Sequence, residues 1–140
     1  TGMIWGTRLL SPTGIFAGDT AAWSGRNAPN RVIVFLTDGD MAPHQRIYGM
    51  YGIEYFDRRI SGGSFSNLTN YHNARFLAVC SAAKARNISV WTVQIDTGVS
   101  TQMRSCATSS AQALSTTTGT GLSSAFVGIA KQIAMLRISK

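Results

Sequence analysis

The spacing of apolar residues changes along the chain, and each change marks an element. Residues 31–37 (R-V-I-V-F-L-T) hold five successive apolar positions, Val32 to Leu36, mostly β-branched or aromatic. A strand with one wet face would alternate. The unbroken run therefore predicts a strand buried on both faces, in the interior of a parallel sheet. It stops at Thr37-Asp38-Gly39-Asp40. Residues 88–95 (I-S-V-W-T-V-Q-I) predict a second strand, apolar at Trp91, Val93 and Ile95 and closed by Asp96-Thr97-Gly98. Residues 111–116 predict a short third strand.

Helical spacing occupies the intervals. Residues 2–11 predict a helix with Ile4, Trp5 and Leu9 on its apolar side, ended by Pro12-Thr13-Gly14. Residues 71–86 predict a longer one, capped by Thr69 or Asn70, whose apolar side holds Phe76, Leu77, Val79, Cys80 and Ala83. Asn87 suits its C-terminal turn. A short helix is expected over 102–107. After a flexible turn at 118–121, Leu122, Phe126, Ile129, Ile133 and Leu136 recur at helical spacing and predict a final amphipathic helix over 122–136.

Helices alternating with strands give the fold class: α/β, a doubly wound and mostly parallel sheet with helices on both faces. Ligands of such sheets bind just beyond the carboxyl ends of the strands, where Asp38 lies. Residues 13–30 read as loop. Residues 41–68 read as a long irregular loop within the domain, rich in glycine and aromatics, and a loop of that length is usually functional or partly disordered. Its Tyr48, Tyr51, Tyr55, Arg58 and Arg59, with Asp40 before it, have the composition of a protein interface. The bland reading, a loop that buries its own aromatics, carries equal weight.

Composition narrows the function. The chain has 140 residues, enough for one domain, and is 44% hydrophobic, so it can bury a core. Its formal charge of +7 is dispersed, which makes a solvated basic surface the better reading than nucleic-acid binding. Asp19, Asp38, Asp40, Glu54, Asp57 and Asp96 are its only carboxylates, too few for most acid-rich active sites. His72 and Cys80 are separated by about 12 Å of helical rise, too far for a thiolate–imidazole pair, and no G-x-S-x-G elbow is present. Gly119-Thr120-Gly121 lacks the third glycine of a dinucleotide loop. No apolar run nears the ~20 residues of a membrane span. The chain opens at Thr1 without an initiator Met or a basic leader, and so reads as an internal or processed piece of a longer protein. Two cysteines, Cys80 and Cys106, cannot make a four-ligand zinc site, and composition leaves one disulfide or two buried thiols equally open.

The strand ending in T-D-G aims one carboxylate at the sheet edge, a placement able to contribute to a Mg²⁺ or Ca²⁺ shell. One Asp is not a site, and capping a turn explains it as well. The pattern resembles the second half of a von Willebrand factor type A domain. It is more closely similar to the C-terminal region of bacterial Tad (Flp) pilus-assembly proteins of the TadG type. The blocks that carry the resemblance are G-M-I-W-G-T-R-L-L-S-P (2–12), R-V-I-V-F-L-T-D-G-D-M (31–41), Y-G-I-E-Y-F-D-R-R (51–59), C-S-A-A-K-A-R-N-I-S-V-W-T-V (80–93), C-A-T-S (106–109) and F-V-G-I-A-K-Q-I-A-M-L-R-I-S-K (126–140).

The resemblance implies that residues 1–140 are the C-terminal portion of a single A-type domain, incomplete in this chain. It also implies a metal-ion-dependent adhesion site, of which only Asp38 maps here; the Asp-x-Ser-x-Ser motif is absent from the sequence. Mg²⁺ or Ca²⁺ would then need ligands from elsewhere, and a partner chain could supply the missing half. The resemblance places the protein at the periplasmic or extracellular side of a bacterial cell envelope. It thereby favours a Cys80–Cys106 disulfide, worth roughly 3 kcal/mol. The function implied is non-enzymatic adhesion or scaffolding in pilus assembly. The alternative is a metal-free structural subunit that assembles with a second chain or into a filament.

Overall fold

A computed structural model describes residues 1–25 and 27–138. Its centre is a three-stranded parallel sheet of β1 (Arg31–Thr37), β4 (Ile88–Ile95) and β5 (Ala113–Thr116), in the order β1-β4-β5. Two very short strands, β2 (Tyr48–Gly49) and β3 (Gly52–Ile53), pair antiparallel in a separate hairpin. The helices are α1 (Gly2–Leu10), α2 (Glu54–Asp57), α3 (Leu68–Lys84), α4 (Thr101–Cys106) and α5 (Gly119–Ile138). The α/β class and the parallel pairing agree with the sequence reading.

The two faces of the sheet bury separate clusters. Ile33, Ile88 and Val90 meet Met3 of α1 and Cys80 and Ala83 of α3 on one face. Trp91 and Val93 meet Ile129 of α5 on the other, with Val32, Val34, Leu114, Leu122 and Ile133 partly buried around them. Helices therefore cover both faces, the second by α5.

One expectation is corrected. The apolar run of β1 does not form an interior ribbon: β1 lies at the border of the sheet, and β4 is central. The run misleads because helices cover both faces of β1, which demands apolar side chains on each, while its outer edge pairs with no strand among the described residues. Burial records the difference. Six of the eight β4 residues are buried, whereas Ile33 alone is buried in β1 and Leu36 is 43% exposed.

Helix α1 packs through Met3, Gly6 and Thr7 rather than through Trp5 and Leu9. Met3 and Thr7 are buried, and Gly6 lies where an added Cβ would already touch Ile33. Trp5 and Leu9 face outward, with the Arg8 guanidinium over the Trp5 ring. Helix α3 begins earlier than expected, at buried Leu68 after a 3₁₀ turn (Phe65–Asn67), so neither Thr69 nor Asn70 caps it. Asn87 closes it in the left-handed region, φ 56°, as expected. The expected 118–121 turn is largely the opening of α5, where the Gly121 N–H donates to Thr118 Oγ1. Of the α5 stripe, Ile129 is buried, Leu122 and Ile133 are half-buried and Phe126 is exposed; the Leu136 side chain and residues 139–140 lie outside the described residues.

Candidate functional site

Three features meet at or near the carboxyl end of the sheet: the T-D-G-D turn after β1, the excursion over 41–68, and helix α4 tied across to α3.

The turn is stopped by its own hydroxyl. Thr37 Oγ1 donates to the Gly39 carbonyl at 3.0 Å and accepts from the Gly39 N–H at 3.4 Å, which ends the strand. Asp38 follows on the surface, exposed. A cleft of about 580 Å³ opens beside it, bounded by α1, α3 and α4, with Thr37, Asp40, Thr69, Asn73, Ser100 and Thr101 among its lining residues. Asp40 borders this cleft and Asp38 does not. Among the described residues no three His, Cys, Asp or Glu side chains converge as a cation site. The donor set at this edge does not by itself fit a divalent cation.

Helix α4 is held at this end by polar contacts, one of them fully buried. Gln94, 1% exposed, accepts the Ser100 N–H through Oε1 at 2.9 Å. Ser100 Oγ in turn accepts the Met103 N–H and caps the helix. Thr92 Oγ1 donates to the Met103 carbonyl at 3.1 Å. Lys84 Nζ donates to the carbonyls of Ser105 and Ala107, where a cation satisfies the helix C-terminus. Cys80 and Cys106 form a disulfide, with Cα atoms 5.1 Å apart, that joins α3 to α4. Both half-cystines are fully buried. Neither Gln94 nor Thr92 stood out in the sequence, although polar residues within a mostly apolar strand are a signal for buried positioning contacts.

The excursion over 41–68 is ordered around an acid. Glu54 is only 5% exposed. Its carboxylate accepts the N–H of Ile60 at 3.1 Å, and the N–H and hydroxyl of Ser61 at 2.7 Å each. Burial pushes the Glu54 carboxyl up, but the Ser61 and Ile60 donors and nearby His72 outweigh it and hold the group below its usual range. His72, on α3, is held below the ordinary imidazole value by burial and by the Arg75 charge, against the opposing pull of Glu54. Asp57 accepts the Ile53 N–H at 2.8 Å, and its carboxylate lies so close over Gly52 (φ 91°) that any side chain there would collide with it. Thus two of the chain's six carboxylates serve as internal staples of the loop.

The interface residues expected from sequence separate into roles. Tyr48 is 80% exposed. Tyr51 is half-buried, with Arg75 over its ring at 5.0 Å and His72 edge-on. Tyr55 stacks on Phe65 at 5.9 Å and carries Arg46 at 5.3 Å. Arg58 is exposed in the left-handed region, and Arg59, also exposed, pairs with Asp57 at 3.7 Å. Tyr48, Tyr51 and Asp40 border a second cleft, of about 390 Å³, between the excursion, α1 and α3. Arg46, Arg75, Glu54 and His72 also belong to this constellation, and the sequence reading placed none of them at an interface. No helix among the described residues is long and apolar enough to cross a membrane.

Comparison with the models of known protein families, with curated proteins and with solved structures finds no match for this chain.

Proposed function

We propose that the chain works by docking protein, as the C-terminal portion of a von Willebrand factor A-like adhesion or scaffolding module of the Tad pilus-assembly type, without catalysis of its own. The observation that carries this reading is the outer edge of β1. A seven-residue strand lies at the border of a parallel sheet with Leu36 exposed and Val32 and Val34 only partly covered. Natural edge strands are blunted by charge, proline, bulges or a covering element. β1 has Arg31 at its start and none of these devices along Val32–Leu36. Such an edge accepts a further strand through main-chain hydrogen bonds, with alternate side chains supplying selectivity.

The completing strand comes from a partner chain or another segment of a parent protein. The same segment would have to supply most ligands for any Mg²⁺ or Ca²⁺ near Asp38; without them the module is a metal-free structural piece. The buried disulfide fits an oxidising setting, in keeping with the envelope side of a bacterial cell.

Self-association tests the reading. An open apolar edge makes the isolated chain oligomerise with rising concentration in sedimentation velocity. Leu36→Lys, which places a charge on that edge at an already exposed position, shifts the distribution towards monomer. A concentration-independent monomer in the unaltered chain would contradict the reading.

A further inference from the structure

We infer that the projection formed by residues 46–59 and the facing side of α3 is a docking site for an acidic protein segment that also carries an apolar anchor. This rests on the reading that the chain docks protein, but it uses a different surface from the edge of β1.

The first argument is charge. Arg46, Arg58, Arg59 and Arg75 stand on or beside this projection, all exposed. Their closeness follows from contacts: Arg75 Nη2 donates to the Arg59 carbonyl at 3.2 Å, Arg46 lies over Tyr55, and the Tyr55 N–H donates to Gln45. Of the carboxylates nearby, two are held in intramolecular contacts and a third, exposed Asp40, borders the adjoining cleft. Glu54 is buried on Ile60 and Ser61, and Asp57 binds the Ile53 N–H and Arg59. Among the described residues, the Arg59–Asp57 contact is the one salt bridge, so three guanidinium groups face outward without a carboxylate. Partner carboxylates answer that excess.

The second argument is shape. The guanidinium groups of Arg46 and Arg75 lie over the rings of Tyr55 and Tyr51, at 5.3 and 5.0 Å from the ring centres. A guanidinium held over a ring loses less freedom when it pairs with a carboxylate, and Arg75 keeps donors beyond the Nη2 bonded to the Arg59 carbonyl. Beside them, Ile47, Tyr48 and Phe56 are exposed, and the 390 Å³ cleft bordered by Ile47, Tyr48, Met50 and Arg75 is large enough for an apolar side chain. Large apolar groups with Arg at the rim are the composition of a protein interface.

Two other anionic partners fit less well. Nucleic acid would stack successive bases on open rings, but two of the four rings here are already engaged, Tyr55 by Phe65 and Arg46 and Tyr51 by Arg75, which leaves only Tyr48 and Phe56. An anionic bilayer favours apolar groups with lysines that reach past them. The chain has only three lysines, Lys84, Lys131 and Lys140, and residues 46–59 contain none of them.

The test is fluorescence anisotropy at low salt with a short labelled peptide of alternating Glu and Leu, beside a Gln–Leu counterpart. The acidic peptide binds at least about tenfold more tightly than the Gln–Leu one, and added salt weakens it. Arg46→Glu/Arg75→Glu removes at least tenfold of that affinity, whereas Arg86→Glu/Lys131→Glu, an equal change of net charge elsewhere, leaves it within about twofold. Arg46→Gln alone gives a smaller loss, and circular dichroism confirms that each variant is folded. Equal binding of both peptides, or equal loss in both double variants, overturns the proposal. So does binding of phosphatidylglycerol vesicles or an oligothymidylate strand in preference to the acidic peptide. Leu36→Lys leaves peptide binding unchanged, so failure at the β1 edge and failure here are read separately.

Discussion

Loss of the Cys80–Cys106 disulfide is expected to cost about 3–4 kcal/mol, the chain-entropy value for a bridge closing a 26-residue separation. Both half-cystines are fully buried, and reduction leaves two thiols of nearly the same volume, so the loss comes chiefly from the freed unfolded chain rather than from a cavity. That loss is a large share of the 5–15 kcal/mol typical of a domain. The bridge also fastens α4, whose other ties are the Lys84 cap and the Gln94 and Thr92 contacts. A guanidinium titration of the oxidised chain against the same chain kept reduced by a thiol reductant measures this. The account expects a much lower midpoint with little change in secondary structure; equal midpoints would remove the bridge from the list of what holds the fold.

The second large effect belongs to Glu54. Removing a buried acceptor leaves its donors unpaired, at about 1–3 kcal/mol. Glu54→Ala strips the acceptor from Ile60 and Ser61 and is expected to cost about 2–3 kcal/mol, with Glu54→Gln milder because one oxygen remains. The damage is local first, so trypsin should cut after Arg58 and Arg59 faster in either variant. The pH dependence follows from the direction of the shifts. Folded Glu54 and folded His72 both titrate below their ordinary values, so the unfolded chain binds more protons and stability falls as the solution is acidified. The His72 contribution begins to fade below the ordinary imidazole value of about 6.5, that of Glu54 below the ordinary carboxylate value of about 4.3. In Glu54→Gln the carboxylate part of that acid sensitivity is absent.

Much of this architecture is readable in the chain, because strands covered on both faces and an amphipathic final helix carry strong periodic signals. β1, β4 and α5 emerge from those signals, and the disulfide from a resemblance that the geometry of α3 and α4 accommodates. What escapes is set by pairing rather than by pattern. A run such as Val32–Leu36 reports that both faces are covered and says nothing about whether the strand has one neighbour or two. The 41–68 excursion escapes for another reason. Its order rests on single side-chain-to-backbone contacts, Glu54 to Ile60 and Ser61 and Asp57 to Ile53, and such contacts leave no periodic trace. Helix α1 shows a third limit, since its packing face is made by Met3, Gly6 and Thr7 while the eye is drawn to Trp5 and Leu9.

Amide hydrogen exchange along β1, followed from dilute to concentrated protein, tests the open edge most directly. In a parallel strand alternate amides point to opposite neighbours, so in the dilute chain one set in Arg31–Thr37 is protected by β4 and the other exchanges quickly. Amides along β4, flanked by β1 and β5 where Thr92–Ile95 pair, stay slow throughout. As the chain associates, the fast set becomes slow. Full protection of every β1 amide at the lowest concentration would mean that the edge is already covered, and the docking account would fail.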